Sequence, residues 1–169
     1  VTMYALAGKP VLLAQEVGSL IVSATVPMVA HWDSKNSHAD EQRIAKLRRI
    51  SQRYLNIFVA VAVPGFWLFS SLLVRLWLGP GNEQVALVMR ILAVGQLASL
   101  LTTPGFNELI GRGNLSIAPP LLTVQTVLYI VLCWFSIKTI GVLGPAMALA
   151  AATLYGATHF LIAFYRSRA

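Results

Sequence analysis

Ionisable and amide side chains are scarce in the apolar runs of this sequence, so the few that occur there are the first candidates for chemistry. Gln15, Ser19 and Ser23 recur every four residues, with Glu16 beside them and Pro27 next in the series. That spacing puts one polar stripe along one face of a helix. Gln96, Ser99, Thr103 and Asn107 repeat the device at steps of three, four and four. Two such stripes either line a hydrated cavity or hydrogen-bond between packed helices, at roughly 1 kcal/mol per bond in a bilayer. Glu16 is a group able to bind a proton or a cation, or to pair with a basic residue of a neighbouring helix. Its plainer reading is a carboxylate wetted near the membrane interface. Arg90 lies about 135° from the second stripe at ~100° per residue. It reads as snorkelling outward, with contact to an anionic group as the alternative. Glu108 falls on the face of Arg90 near the opposite end of the run and reads as interfacial. The substrate-pathway set is therefore Gln15, Glu16, Ser19, Ser23, Arg90, Gln96, Thr103 and Asn107.

Other chemistries find little support. His31, Asp33 and His38 sit in a polar connection without the spacing of a metal site. The single cysteine, Cys133, lies within an apolar run and has no intrachain partner. The sequence contains no phosphate-binding G-x-x-x-x-G-K-[ST] loop, so no ATP site is expected. No nucleophile–base pair or paired carboxylates stand in a cavity setting, so the chain reads as a non-enzyme without a cofactor.

The elements that must position these residues are read from apolar run length. About 20 apolar residues cross a hydrocarbon core. Runs at about 10–30, 54–78, 85–110, 117–137 and 142–164 meet that length. The expected fold is all-α: an integral membrane bundle of about five transmembrane helices, forming a single membrane domain over 1–169. The 169 residues are 57% hydrophobic and only 11% charged, against about 25% charged in an ordinary soluble domain. Mean hydropathy is +0.71. The net charge of +7 does not argue for nucleic acid, because the basic residues lie between the apolar spans. Six of the thirteen gather in a basic loop, 31–53. Within it Ser37, Asp40 and Glu41 are helix-start residues, and Ile44, Leu47, Ile50 and Tyr54 share a face. That pattern predicts a short amphipathic helix lying at the membrane surface. Pro64-Gly65 predicts a kink in the second span. Gly144, Ala148, Ala152 and Gly156 form a ladder of small residues that admits a close helix neighbour.

Spans joined by short turns alternate sides. Lys35, Arg43, Lys46, Arg48, Arg49, Arg53, Arg112, Arg166 and Arg168 fall on one side, nine basic residues against three (Lys9, Arg75 and Lys138) on the other. The richer side is expected to be cytoplasmic. The opening Val-Thr-Met-Tyr has no signal-peptide pattern and reads as the tail of an earlier element, so a truncated N-terminus is expected.

The order of short motifs adds a resemblance. A span follows Tyr4-Ala5-Leu6-Ala7, and the basic stretch Arg43 to Arg53 leads into a span with a central proline. Leu76-Trp77-Leu78-Gly79 precedes an outer turn, and Gly111-Arg112-Gly113-Asn114 ends the next span. Gly141-Val142-Leu143-Gly144-Pro145-Ala146 opens the last. This order resembles the C-terminal half of polysaccharide transporter family flippases, in the multidrug/oligosaccharidyl-lipid/polysaccharide exporter superfamily, which includes O-antigen and lipid-linked repeat-unit flippases. The resemblance covers nearly the whole chain and implies part of the C-terminal lobe of a two-lobe transporter in a bacterial inner membrane. It implies a polyprenyl-pyrophosphate-linked glycan as substrate, alternating access as mechanism, and a missing N-terminal lobe and membrane lipids as partners. The family's cationic cavity residues have no residue-by-residue match here. Two rival expectations stand beside it: a cation-coupled multidrug antiporter of the same superfamily, using Glu16, and a non-transporting membrane scaffold.

Overall fold

The computed structural model describes residues 2–33, 38–113, 116 and 118–166. Val1, Lys35, Ser37, Asn114, Ile117 and Arg168, which entered the sequence reading, lie outside them. The described chain is helical with no strand: α1 (Thr2–Ser23), α2 (Thr25–Asp33), α3 (His38–Leu78), α4 (Glu83–Ser99), α5 (Thr103–Gly111), α6 (Ala118–Ile140) and α7 (Gly144–Arg166). Five stretches are long and apolar enough to cross a membrane: α1 with α2, α3, α4 with α5, α6, and α7. The protein is thus an all-α, multi-pass membrane bundle.

Helix α4 is its centre. Two faces of α4 are apolar, and Val85, Val88, Met89, Leu92, Ala93 and Leu97 are buried between α1, α3 and α7. Close approach to α7 depends on Gly95, because a Cβ there would lie 2.6 Å from the Ala150 Cα. Helix α6 is peripheral and packs mainly on α7. The ladder Gly144, Ala148, Ala152 and Gly156 is buried. Its two ends face α6, where a Cβ on Gly144 would strike the Ser136 backbone and one on Gly156 the Gln125 amide. The remaining faces expose large apolar side chains, such as Leu12 and Leu20 on α1, Val61 and Leu68 on α3, and Trp134 and Phe135 on α6. This is the surface a bilayer solvates.

The stretch 31–53 departs from expectation. It does not carry a separate helix lying on the membrane: α3 starts at His38 and runs unbroken into the second span for 41 residues. At ~1.5 Å per residue that is about 60 Å, twice a hydrocarbon core. Asp40 and Glu41 favour its N-terminus by countering the helix dipole. No glycine or proline interrupts the sequence from His38 to Val63, and α3 passes Pro64 without ending. The buried line of its first half is Asp40, Ile44, Ser51 and Leu55. Ile50 and Tyr54, read as part of the apolar face, are exposed. The amphipathic segment packs on α2 and α5, so protein rather than lipid takes its inner face.

Candidate functional site

Two spans are broken, and both breaks follow from proline. A proline inside a helix has no N–H to donate, and its ring collides with the carbonyl four residues back. Four residues before Pro27 is Ser23, the last residue of α1. Four before Pro104 is Leu100, where the chain tightens into a 3-10 turn, Leu100–Thr102. Pro104 then occupies the first turn of α5, where a missing N–H is tolerated. Beyond each break runs a half-helix of nine residues, α2 and α5. The two pack against each other. Gly111 permits this, since a Cβ there would lie 2.7 Å from Val29 Cβ.

Side chains satisfy the backbone groups around the breaks. Asn107 Nδ2 donates to the Val22 carbonyl at 3.0 Å and to Thr25 Oγ1 at 3.2 Å. Thr25 Oγ1 donates to the same carbonyl at 2.6 Å. Across the bundle, Gln52 Nε2 on α3 donates to the Leu101 carbonyl at 3.1 Å. Ser99 Oγ donates to the Gln96 carbonyl at 2.6 Å and receives Gln15 Nε2 at 3.4 Å. These bonds form a seam that joins α1, α3, α4 and α5 around the two breaks. Irregular backbone at membrane depth is tolerated where protein satisfies it or water reaches it.

A charge cluster closes the basic end. Glu108 is 2% exposed and sits between two arginines, Arg48 of α3 at 2.9 Å and Arg112 at 3.1 Å. Arg112 extends to Glu41 by two bonds of 2.8 and 3.1 Å, and to Asp33 at 3.6 Å. The Arg48 guanidinium stands 5.4 Å from the centre of the Phe164 ring on α7. The cluster therefore ties α2, α3, α5 and α7 together. The hydrogen bonds that Arg112 donates to Glu41, then the nearby carboxylates of Glu108, Glu41 and Asp33, push the Arg112 pKa above its ordinary value against the opposing effect of burial. Among the described residues one buried polar side-chain atom is left over: Arg112 Nε has no hydrogen-bond partner. Glu108, read as interfacial from sequence, is instead the buried centre of this cluster. The sequence carried a partial signal, since Glu108 and Arg112 are one helical turn apart, but nothing in it pointed to Arg48.

Arg90 also differs from expectation. It does not reach outward; Nε and Nη2 donate to Ser70 and Ser71 Oγ of α3, each at 2.7 Å, with the guanidinium 6.0 Å from the Trp67 ring. It fastens α4 to α3. The eight pathway residues are not gathered round one void. Gln15 reaches Ser99, whose hydroxyl bonds to the Gln96 backbone carbonyl, and Asn107 reaches the α1 break. Thr103 opens α5. Ser19 and Ser23 donate to carbonyls of their own helix, and Glu16 is exposed on α1. A separate cavity of about 90 Å³ lies between α4, α5, α6 and α7, with Ser99, Thr102, Gln125 and Thr153 among Phe106 and Phe160. Among the described residues no group of three or more His, Cys, Asp or Glu is placed to hold a metal.

Fold and seam together define a multi-pass helical membrane protein with two discontinuous spans. Comparison with protein-family models, curated proteins and solved structures finds no match.

Proposed function

We propose that the chain belongs to a membrane exporter that works by alternating access, with the half-helix pair α2 and α5 as its moving part. The carrying observation is the pair of breaks, at Ala24 and Leu100–Thr102, in two spans whose half-helices α2 and α5 pack on each other. Discontinuous helices place hinges and polar backbone where a transporter needs them. The pair swings as a unit because α2 and α5 are packed on each other, while the ion pairs of Arg48 and Arg112 hold it closed against α3. Opening exchanges those pairs for water on the basic side, which the excess of basic residues makes cytoplasmic. The motif order from Tyr4 to Ala146 supports a lipid-linked oligosaccharide as cargo, carried across a bacterial inner membrane with a second lobe as partner.

The test is genetic. Deleting the parent gene removes surface polysaccharide, the full-length gene restores it, and a gene carrying P27A and P104A restores it poorly because the hinges heal. Normal surface glycan after a clean deletion would refute the assignment of cargo.

A cation-coupled antiporter is the second reading, favoured by one observation: Glu16 is an exposed carboxylate on a face that also exposes Leu12, Leu13 and Leu20. On that reading Glu16 meets a hydrated path formed with another helix. Full ion-driven export by an E16Q protein would exclude it.

A further inference from the structure

One side of α3 carries two exposed surfaces that meet at a single level. Lys46, Arg49 and Arg53 are exposed and, at ~100° per residue, lie within about 60° of one another around the helix. Among the described residues none of the three forms an ion pair, whereas Arg43 pairs with Asp40 at 3.1 Å. Ile57, Val61 and Leu68 continue the same side, and all are exposed. The opposite side, with Ile44, Ser51 and Leu55, is buried in the bundle. The basic stripe is therefore the direct extension of the face that meets lipid.

Aromatic residues mark where lipid ends. Tyr54 and Trp77 are both exposed, 61% and 51%. The 23 residues between them (77 − 54) rise about 35 Å. That matches a hydrocarbon core of ~30 Å with a short step into the interface on each side, where Tyr and Trp concentrate. Arg53 adjoins Tyr54, and Arg49 and Lys46 stand about 7 and 12 Å further along the axis. Their long stems bring the charges back toward the headgroup layer.

We infer that Lys46, Arg49 and Arg53 form a docking surface for anionic phospholipid headgroups of the leaflet on this side of the membrane. Three cations without carboxylate partners, on a lipid-facing side and at headgroup height, fit a phosphate-bearing lipid surface by charge and by position. The binding is independent of any cargo.

The purified full-length protein in detergent, titrated with phosphatidylglycerol or phosphatidylcholine while its thermal midpoint is followed, tests this. Phosphatidylglycerol raises the midpoint of the wild type and of the charge-conserving K46R/R49K/R53K protein, and phosphatidylcholine does not. In K46Q/R49Q/R53Q the half-saturating phosphatidylglycerol concentration rises about a hundredfold, and high salt has the same effect on the wild type. If the glutamine protein does not fold, native mass spectrometry of the wild type decides: selective, salt-sensitive retention of phosphatidylglycerol supports the inference, and equal retention of both lipids overturns it. An unchanged phosphatidylglycerol response in the glutamine variant overturns it too. So does a response confined to a polyprenyl diphosphate or to an acidic peptide, because the surface then serves cargo or a protein partner.

Discussion

At the scale of single residues, Glu108 decides most. Two arginines converge on a carboxylate that is nearly sealed from solvent. Removing one member of a buried ionic set leaves uncompensated charge, at about 3–5 kcal/mol. Glu108→Gln is therefore expected to lower unfolding stability in detergent by that order. A combined R48M and E108L protein recovers most of the loss, because Arg112 keeps Glu41 and Asp33 and the new side chains pack. A double-mutant cycle on Arg48 and Glu108 measures the coupling, and additive losses would show that the pair is not coupled. Arg112 sets no pH limit of its own: its pKa is raised on folding, so the stability it contributes is complete at every pH below its ordinary range and is lost only above it. Asn107 has a smaller role. Asn107→Ala removes its bonds to Val22 and Thr25 at the α1 break, with an expected loss of about 1–2 kcal/mol by the same assay.

At the scale of elements, proline and glycine set the geometry. Pro104→Ala restores a backbone donor and removes a ring clash, so α4 and α5 tend toward one continuous helix. Hydrogen exchange is expected to slow across Leu100–Thr102 in that protein, and unchanged exchange there would mean that the surrounding packing, not proline, holds the break. Gly95→Val acts the other way. Its side chain would enter the space of Ala150 and Thr153, so α4 and α7 must separate, at about 1–3 kcal/mol. A thermal midpoint equal to that of the wild type would show that this contact is not tight. The small-residue ladder of α7 is legible in the sequence as a packing device. That α6, the next helix back along the chain, fills it is a tertiary fact, so this groove does not await a partner from elsewhere.

At the scale of the whole molecule, orientation is the accessible quantity. With Cys133 replaced, a cysteine at Gly81 is expected to react with an impermeant thiol reagent in intact cells, and one at Lys46 only after permeabilisation. The reverse pattern would invert the topology and place the ion-pair cluster and the basic stripe outside. Both positions are exposed on the described surface, so labelling reports sidedness rather than burial.

The sequence by itself determined the class of this protein and the number of its crossings. Run length, the scarcity of charge within runs and the turn residues between them are local quantities, and a bilayer enforces them one segment at a time. Pro27 and Pro104 supply a local cause for the two breaks, but Pro10 and Pro64 lie inside continuous helices, so which prolines break a span was not legible in the sequence. Only tertiary structure decided what the polar residues do. Arg90 and Ser70, Gln15 and Ser99, Asn107 and Val22, and Arg48 and Glu108 are between 20 and 85 residues apart in the chain. A stripe on one helix has the same periodicity whether it faces water, lipid or a neighbour. The partner is supplied by how helices pack, and that depends on side chains far apart in sequence, of which a single helix carries no record.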